Sequence, residues 1–224
     1  MPTKQASHLP TVLRSPTHPI LLRTLEPRDA AAVSAVLSDP ENSKYDPHAS
    51  AISPEVAAGV IGRMRESAAA PTVLDEASGR VVSGPGRVNL LLVYVGDDDN
   101  DDDDDKEGGG GGVGVGLAGF GGINEREGEG EGGGKMRVGD VGAMVSPAYR
   151  GRGFATEAIR LAVEWGFTRV EDGGPQFDRI TATMLEANEP MVGLMERKFG
   201  WQRVTGAGKE GEVTFEVGPE DWRK

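Results

Sequence analysis

Strand-like and helix-like stretches alternate along most of this chain, and their order is the strongest constraint on its fold. Apolar residues recur at every second position in the first kind and at every third or fourth position in the second. The predicted strands cover residues 20–24, 87–96, 112–123, 136–147, 178–187 and 211–218. The predicted helices cover residues 27–37, 53–67, 154–167 and 189–200. Strands interleaved with helices predict an α/β or α+β domain built on one sheet.

Two low-complexity stretches interrupt this pattern, at about residues 96–112 and 124–135. The chain has 224 residues and a net charge of -12. The run DDDNDDDDDKE, residues 97–107, holds eight Asp and one Glu against one Lys and so carries -8 of that charge. Like charges repel and glycine runs raise chain entropy, so both stretches are predicted to be solvated loops. An EF-hand loop is excluded because Gly114 stands where its closing Glu is required.

Cysteine is absent from the chain, which excludes disulfides, thiolate metal sites and cysteine nucleophiles. The first residues lack the apolar core of a signal peptide, and no run approaches the ~20 apolar residues that span a bilayer. We therefore expect a soluble intracellular protein, cytoplasmic or nuclear, with neither a membrane nor a nucleic acid as its partner.

One glycine motif is misleading. Gly114, Gly116 and Gly119 spell the dinucleotide fingerprint G-x-G-x-x-G, which binds pyrophosphate only where a strand turns into a helix. The sequence after Gly119 is FGGINEREGEGEGGG, which does not predict a helix. A chance match in a glycine-rich region is the better interpretation.

A second glycine turn, YRGRGFA at residues 149–155, does lie between a predicted strand and a predicted helix. That helix has an apolar stripe for packing on a sheet: Ala155, Ala158, Ile159, Ala162 and Val163. A helix N-terminus offers unpaired N–H groups and roughly half a positive charge to an anion. Gly151 and Gly153 permit positive φ and close approach of a phosphate, while Arg150 and Arg152 add forked donors. The turn predicts a pyrophosphate site; the alternative is a tight turn whose arginines point into water.

The residues RGRGFA match the R/Q-x-x-G-x-G/A signature of the GNAT superfamily of N-acetyltransferases, and residues 149–167 resemble its RimJ/RimL-like branch. Residues 18–42 are similar to the first strand and helix of that branch, and residues 186–201 to its late strand, asparagine and helix. The resemblance covers about residues 18–218. It implies a flexible segment over residues 1–17 and a single acetyltransferase domain over residues 18–222 that carries the two insertions.

The resemblance also implies a mixed, mostly antiparallel central sheet, splayed in the middle and flanked by helices, with acetyl-CoA in the gap and no metal. The pantetheine arm would pair with the backbone of Met144 and Val145. The pyrophosphate would meet the N–H groups of Arg150, Gly151, Arg152, Gly153, Phe154 and Ala155. Asn188 matches an asparagine that hydrogen-bonds the pantetheine arm, although it is equally suited to cap the next helix.

The implied reaction is direct transfer, in which a neutral primary amine attacks the thioester and main-chain N–H groups hold the oxyanion. The acceptor would be a protein N-terminus, a peptide or a small-molecule amine. Asp140 is the nearest match to a carboxylate that relays the amine proton through water; the alternative is a solvated carboxylate or one paired with Arg137. A competing hypothesis is an inactive GNAT-fold binding module whose acidic loop docks basic partners.

Two departures from the family pattern concern the helix after Asn188. The spacing from Asn188 to Gly200 is one residue longer than usual, and no tyrosine is present there to protonate the leaving thiolate. Met195 or a neighbour takes that place. A thiol has an ordinary pKa of ~8.5, so water is expected to serve as the acid, or none is needed.

Overall fold

The computed structural model describes residues 5–45, 50–75, 77–96, 112–127, 135–205 and 208–222. The acidic run of residues 97–107 and the glycines after it, up to residue 111, lie outside these residues. The strands are β1 (Gln5–Ala6), β2 (Val12–Arg14), β3 (Ile20–Thr24), β4 (Thr72–Asp75), β5 (Arg80–Ser83), β6 (Val88–Tyr94), β7 (Val113–Glu127), β8 (Lys135–Val145), β9 (Arg179–Leu185), β10 (Gln202–Arg203) and β11 (Glu212–Val217). The α-helices are α1 (Ala30–Ser38), α2 (Pro40–Ser43), α3 (Pro54–Ala69), α4 (Phe154–Phe167), α5 (Glu189–Gly193) and α6 (Pro219–Trp222).

Eight strands form the main sheet, in the order β10-β11-β9-β8-β7-β6-β3-β2. Every neighbouring pair is antiparallel except β8 and β9, which α4 connects as the crossover that a parallel pair needs. These two strands pair only from Val138↔Arg179 to Asp140↔Thr181, although both continue further. They part in the middle of the sheet and open a gap. The predicted mostly antiparallel sheet flanked by helices is confirmed.

Helices cover both faces of the sheet. The first core cluster joins α4 to one face and includes Phe120, Ile159, Val163, Ile180 and Ala182. The second joins α1 and α3 to the other face and includes Leu21, Val33, Ile61, Leu91 and Leu117. The predicted α4 stripe lies in the first cluster, with Ala158, Ile159, Ala162 and Val163 fully buried. None of the described helices is long and apolar enough to cross a bilayer.

The predicted flexible N-terminal segment is wrong from residue 5 onward. β1 pairs with β4 in a small three-stranded sheet, and β2 pairs with β3 at the edge of the main sheet. Between them His8 has no exposed surface, and the Thr11 N–H donates to Thr24 Oγ1 at 2.8 Å. Strands of two or three residues are too short for a two-residue period to be visible in the sequence.

The second predicted loop, residues 124–135, is shorter than expected. β7 and β8 pair as far as Glu127↔Lys135, so both ends of the predicted loop are strand, and residues 128–134 lie outside the described residues. Lys135 Nζ contacts Glu125 Oε2 at 3.0 Å, and Arg126 pairs with Glu216 of β11. Pairing between antiparallel neighbours extends the strands beyond the apolar pattern on which the prediction rested.

A π-helix over Leu194–Phe199 continues α5. A π turn closes its hydrogen bond over one residue more than an α turn. We attribute the one extra residue between Asn188 and Gly200 to this widened segment. Met195 lies within it and is fully buried in the first core cluster.

The burial of His8 predicts that the free energy of unfolding decreases in acid. His8 is fully buried, its Nε2 lies 2.7 Å from Thr72 Oγ1, and Trp165 packs edge-on at 5.3 Å. Burial, with help from the nearby Arg137 charge, lowers the pKa of His8 from 6.5 to about 4.

On acidification His8 is therefore protonated in the unfolded chain before it is protonated in the folded protein, and stability falls as pH drops from 6.5 towards 4. We expect the free energy of unfolding to decrease by about 2 kcal/mol from this group between pH 7 and pH 5. Urea unfolding of wild type and His8→Gln at both pH values measures it; equal pH dependence in the two proteins would contradict it.

Candidate active site

The turn between β8 and α4 holds two glycines in the left-handed region. Gly151 has φ 76° and Gly153 has φ 80°. Gly153 is the N-cap of α4, and its carbonyl accepts the Glu157 N–H at 3.0 Å. A side chain in this region costs roughly 1–2 kcal/mol, and a Cβ on Gly153 would lie 2.8 Å from His18 Nε2. Both conformation and space therefore require glycine at position 153.

The backbone N–H groups of residues 151–155 are free to meet an anion. Among the described residues, none of these groups donates to another part of the protein, and no side chain caps α4. The helix behind them has 14 residues, so its dipole adds partial positive charge at this end. Unpaired donors and a helix N-terminus are the elements of a phosphate site. The turn therefore fits the pyrophosphate that the sequence predicts for Gly151, Arg152, Gly153, Phe154 and Ala155.

Arg150 departs from the prediction. Its N–H donates to Pro147 O at 3.2 Å, so it is not one of the free donors. Its guanidinium donates from Nε to Val145 O at 3.1 Å and from Nη2 to Asn42 Oδ1 at 2.5 Å and Glu41 O at 3.2 Å. Arg150 thus links the turn to the end of β8 and to α2. Its guanidinium N–H groups, which the sequence predicted to bind phosphate, donate to these acceptors instead.

Arg152 is exposed, like Arg150, but its guanidinium contacts a ring instead of fastening the turn. Its guanidinium lies over the Tyr149 ring, 5.3 Å from the centroid. Tyr94 packs against both Tyr149, at 5.5 Å, and the buried ring of Phe154, at 5.8 Å. Phe154 thereby anchors the first residue of α4 in the core, while Arg152 keeps its charge at the surface beside the free N–H groups.

The end of β8 borders the gap. Met144 and Val145 pair on one side with Leu117 and Gly116 of β7 and lie beyond the last residue that pairs with β9. The Val145 carbonyl is occupied by Arg150. Pairing of a pantetheine arm with Met144 and Val145 stays a prediction.

Asp140 lies where the two strands part. It is the last β8 residue paired with β9, opposite Thr181, whose Oγ1 donates to Asp140 Oδ1 at 2.9 Å. Burial raises the pKa of Asp140, and hydrogen bonds from Thr181 and Thr183 offset part of that rise. A carboxylate with a raised pKa is a better proton acceptor than an exposed one. The partner that the structure gives Asp140 is Thr181 rather than Arg137, and the Asp140 side chain is half-buried rather than fully solvated; its role as a proton relay stays a prediction.

Comparison with known proteins decides the family. Residues 20–200 match the family described as the acetyltransferase (GNAT) domain. The chain belongs to the GNAT family. The N-acetyltransferase 9-like protein of Caenorhabditis briggsae is 33% identical over 81 residues, which span 36% of this GNAT chain and 38% of that relative.

Solved GNAT structures share the fold. RimJ of Mycobacterium smegmatis, in complex with CoA-disulfide, aligns with a TM-score of 0.58 at 19% identity over 96% of this chain and 89% of its own. The microcin C7 self immunity acetyltransferase MccE, in complex with acetyl-CoA and AMP, aligns with a TM-score of 0.59 at 12% identity over 91% of this chain and 97% of its own.

Asn188 of this GNAT chain caps α5. Its Oδ1 accepts the Met191 N–H at 3.4 Å. The cap uses the amide oxygen, and the amide NH₂ has no partner among the described residues, so capping and a hydrogen bond to the pantetheine arm are compatible. In the following helix Met195 is fully buried, and its thioether has no proton to donate to a thiolate.

Sequence reasoning missed a polar group beneath the glycine turn. Glu157 is only 5% exposed, and its carboxylate accepts from Ser15 Oγ at 2.5 Å and from Arg160 Nη2 at 2.6 Å. The hydrogen bond from Arg160 is the main reason that the pKa of Glu157 falls to about 2. Ser15 precedes Glu157 by 142 residues in the chain, and no spacing in the sequence indicates their contact.

Proposed function

We propose that this GNAT chain transfers the acetyl group of acetyl-CoA to a primary amine. The observation that carries the proposal is the glycine turn after β8, in which the N–H groups of residues 151–155 have no acceptor among the described residues, next to a strand that has parted from β9. RimJ and MccE, which share the fold, are in complex with CoA-disulfide and with acetyl-CoA. The sequence likeness to the RimJ/RimL-like branch favours a protein N-terminus or a small-molecule amine as acceptor.

Each part of the gap has a role in this reaction. Acetyl-CoA supplies an activated acetyl group as a thioester. The N–H groups of residues 151–155 and the charge of Arg152 bind its pyrophosphate, and the free edge of β8 aligns the pantetheine arm. Main-chain N–H groups at this edge would stabilise the oxyanion. Asp140, through water, would attract the ammonium form of the acceptor and accept its proton.

Binding of acetyl-CoA is the first test of this function. A ligand that binds only the folded protein raises stability by RT ln(1 + [L]/Kd), which is ~2.7 kcal/mol at a hundredfold excess over Kd. We expect acetyl-CoA to raise the melting temperature of the pure protein. An unchanged melting temperature in millimolar acetyl-CoA would contradict the proposal.

The acidic loop is proposed to be dispensable for fold and cofactor. Tyr94 at the end of β6 is paired directly with Val113 at the start of β7, so a short link can join the two strands. Doubling a loop changes its closure entropy by only ~0.6 kcal/mol. Replacing residues 97–112 by a short Gly-Ser link should leave folding and acetyl-CoA affinity intact, as circular dichroism and calorimetry would measure. Loss of turnover on a basic acceptor alone would instead make the loop a docking element for the substrate.

A further inference from the structure

His18 brings an imidazole from the β2–β3 connection to the glycine turn. Its Nε2 lies 2.8 Å from the position that a Cβ on Gly153 would occupy. Its ring packs edge-on against Phe154 at 6.3 Å, and the side chain is 33% exposed. Among the described residues, Nε2 has no hydrogen-bond partner, whereas Nδ1 lies 2.9 Å from Thr17 Oγ1. The partner-free nitrogen is therefore the one next to the turn.

The buried network under the turn holds this ring in place. Ser15 Oγ accepts the N–H groups of Thr17 and His18, at 3.1 Å and 2.9 Å, and itself donates to Glu157. Thr17 Oγ1 donates to Glu157 Oε1 at 3.3 Å, and His18 Nδ1 lies 4.0 Å from Glu157 Oε2. The connection is thus fastened to the first turns of α4 at several points, so the imidazole is positioned before any ligand arrives.

The carboxylate beside the ring is paired with an arginine. Glu157 Oε2 lies 4.0 Å from His18 Nδ1, and Arg160 donates two hydrogen bonds to the Glu157 carboxylate, at 2.6 Å and 2.8 Å, while it also donates to Glu164. Arg152, which precedes Gly153 in the turn, is exposed, lies over the Tyr149 ring and adds a full positive charge. An anion on the N–H groups of residues 151–155 would therefore lie beside His18 Nε2, on a turn that also carries the charge of Arg152.

We propose that His18 is a further cofactor-binding residue, whose Nε2 donates a hydrogen bond to the pyrophosphate held by the residue 151–155 N–H groups. In the tautomer with a proton on Nε2, Nδ1 accepts the Thr17 hydroxyl in place of Glu157, whereas in the imidazolium both ring nitrogens donate. The inference rests on the proposed function, since it assigns a residue to the acetyl-CoA site. It goes beyond the glycine signature because the donor comes from a connection more than 130 residues earlier in the chain.

Two variants at position 18 separate the donor from the ring. His18→Phe keeps an aromatic ring against Phe154 and removes the donor, whereas His18→Gln removes the ring and keeps an N–H donor. Calorimetric titration of each variant and of wild type with CoA and with dephospho-CoA, which lacks the 3′-phosphate, gives the affinities. A hydrogen bond to a charged group contributes enough that we expect roughly tenfold weaker binding in His18→Phe for both ligands. His18→Gln should recover most of that loss.

The outcomes distinguish this inference from the proposed function. Wild-type protein that does not bind CoA would overturn the proposed function itself. Wild-type affinity in His18→Phe, or equal losses in both variants, would overturn the role of His18, because equal losses indicate a packing effect. A loss for CoA that vanishes with dephospho-CoA would also overturn it, since the contact would then be with the 3′-phosphate. The melting temperatures of the ligand-free variants show whether each variant is folded. If His18→Phe is not folded, His18→Ala takes its place. Binding that is weaker in His18→Ala and is restored in His18→Gln would then support the donor role of His18.

Discussion

Gly153→Glu is expected to abolish the stabilisation of the protein by acetyl-CoA. The glutamate would adopt an unfavourable positive φ, its Cβ would clash with His18 Nε2, and its carboxylate would repel the pyrophosphate. The whole ligand-induced gain, ~2.7 kcal/mol at a hundredfold excess over the wild-type Kd, should disappear. Thermal unfolding with and without acetyl-CoA measures this difference.

Gly62→Glu is the matched control. Gly62 is exposed on α3, and a Cβ there meets no atom within 4 Å, so the same charge is added without strain or contact. This variant should retain the full response to acetyl-CoA. An undiminished response in Gly153→Glu would show that the cofactor does not bind at this turn.

Asp140→Asn is expected to lower kcat about a hundredfold, as is typical when a general base is lost. Asparagine keeps the shape and can still accept the Thr181 hydroxyl, but it cannot accept the proton of the amine. Because the pKa of Asp140 is raised, wild-type activity should fall on acidification at a higher pH than it would with an exposed aspartate as the base. This acid limb of the pH profile should be absent from the variant. Affinity for acetyl-CoA should remain unchanged.

The same substitution should not destabilise the protein at pH 7. Because the folded-state pKa of Asp140 is raised, its contribution to stability is present at low pH and is lost as pH rises through that pKa. At pH 7 the half-buried charge therefore costs stability, and asparagine removes it. Asp178→Asn is the control: Asp178 is exposed, accepts the Arg137 N–H at 2.7 Å and should tolerate the amide with full activity. A kcat equal to that of wild type from pH 6 to 9 in Asp140→Asn would contradict the role of Asp140 as general base and leave solvent as the proton acceptor.

Local patterns in the sequence were sufficient to predict the long helices that pack on the sheet and the turn before α4. The apolar stripe of residues 154–167 predicted α4 with the bounds that the structure has, because one face of that helix packs on the sheet. Ser53 was predicted to begin α3 and does cap it, accepting the Val56 N–H. The glycines of the turn were also predictable, since positive φ next to a helix start leaves a clear signature.

Contacts between distant parts of the chain were not predictable. Arg150 looks like a phosphate ligand in the sequence, yet its donors bind α2 and the end of β8, and nothing local indicates this. His18 and Glu157 come together only because β2 and β3 lie near α4 in the folded domain. The extra residue after Asn188 was visible in the sequence, but whether it widens a helix or lengthens a loop depends on how Met195 packs in the core.

Acetyl transfer itself is the most direct test of the account. The protein is incubated with acetyl-CoA and, separately, with small amines, peptides that have free N-termini and basic proteins. Free thiol and the mass of the acceptor are then followed. Catalysis predicts thiol release above the acceptor-free rate for at least one acceptor class, with an equal amount of acetylated amine. Firm binding of acetyl-CoA with no thiol release from any class would contradict catalysis and favour an inactive binding module.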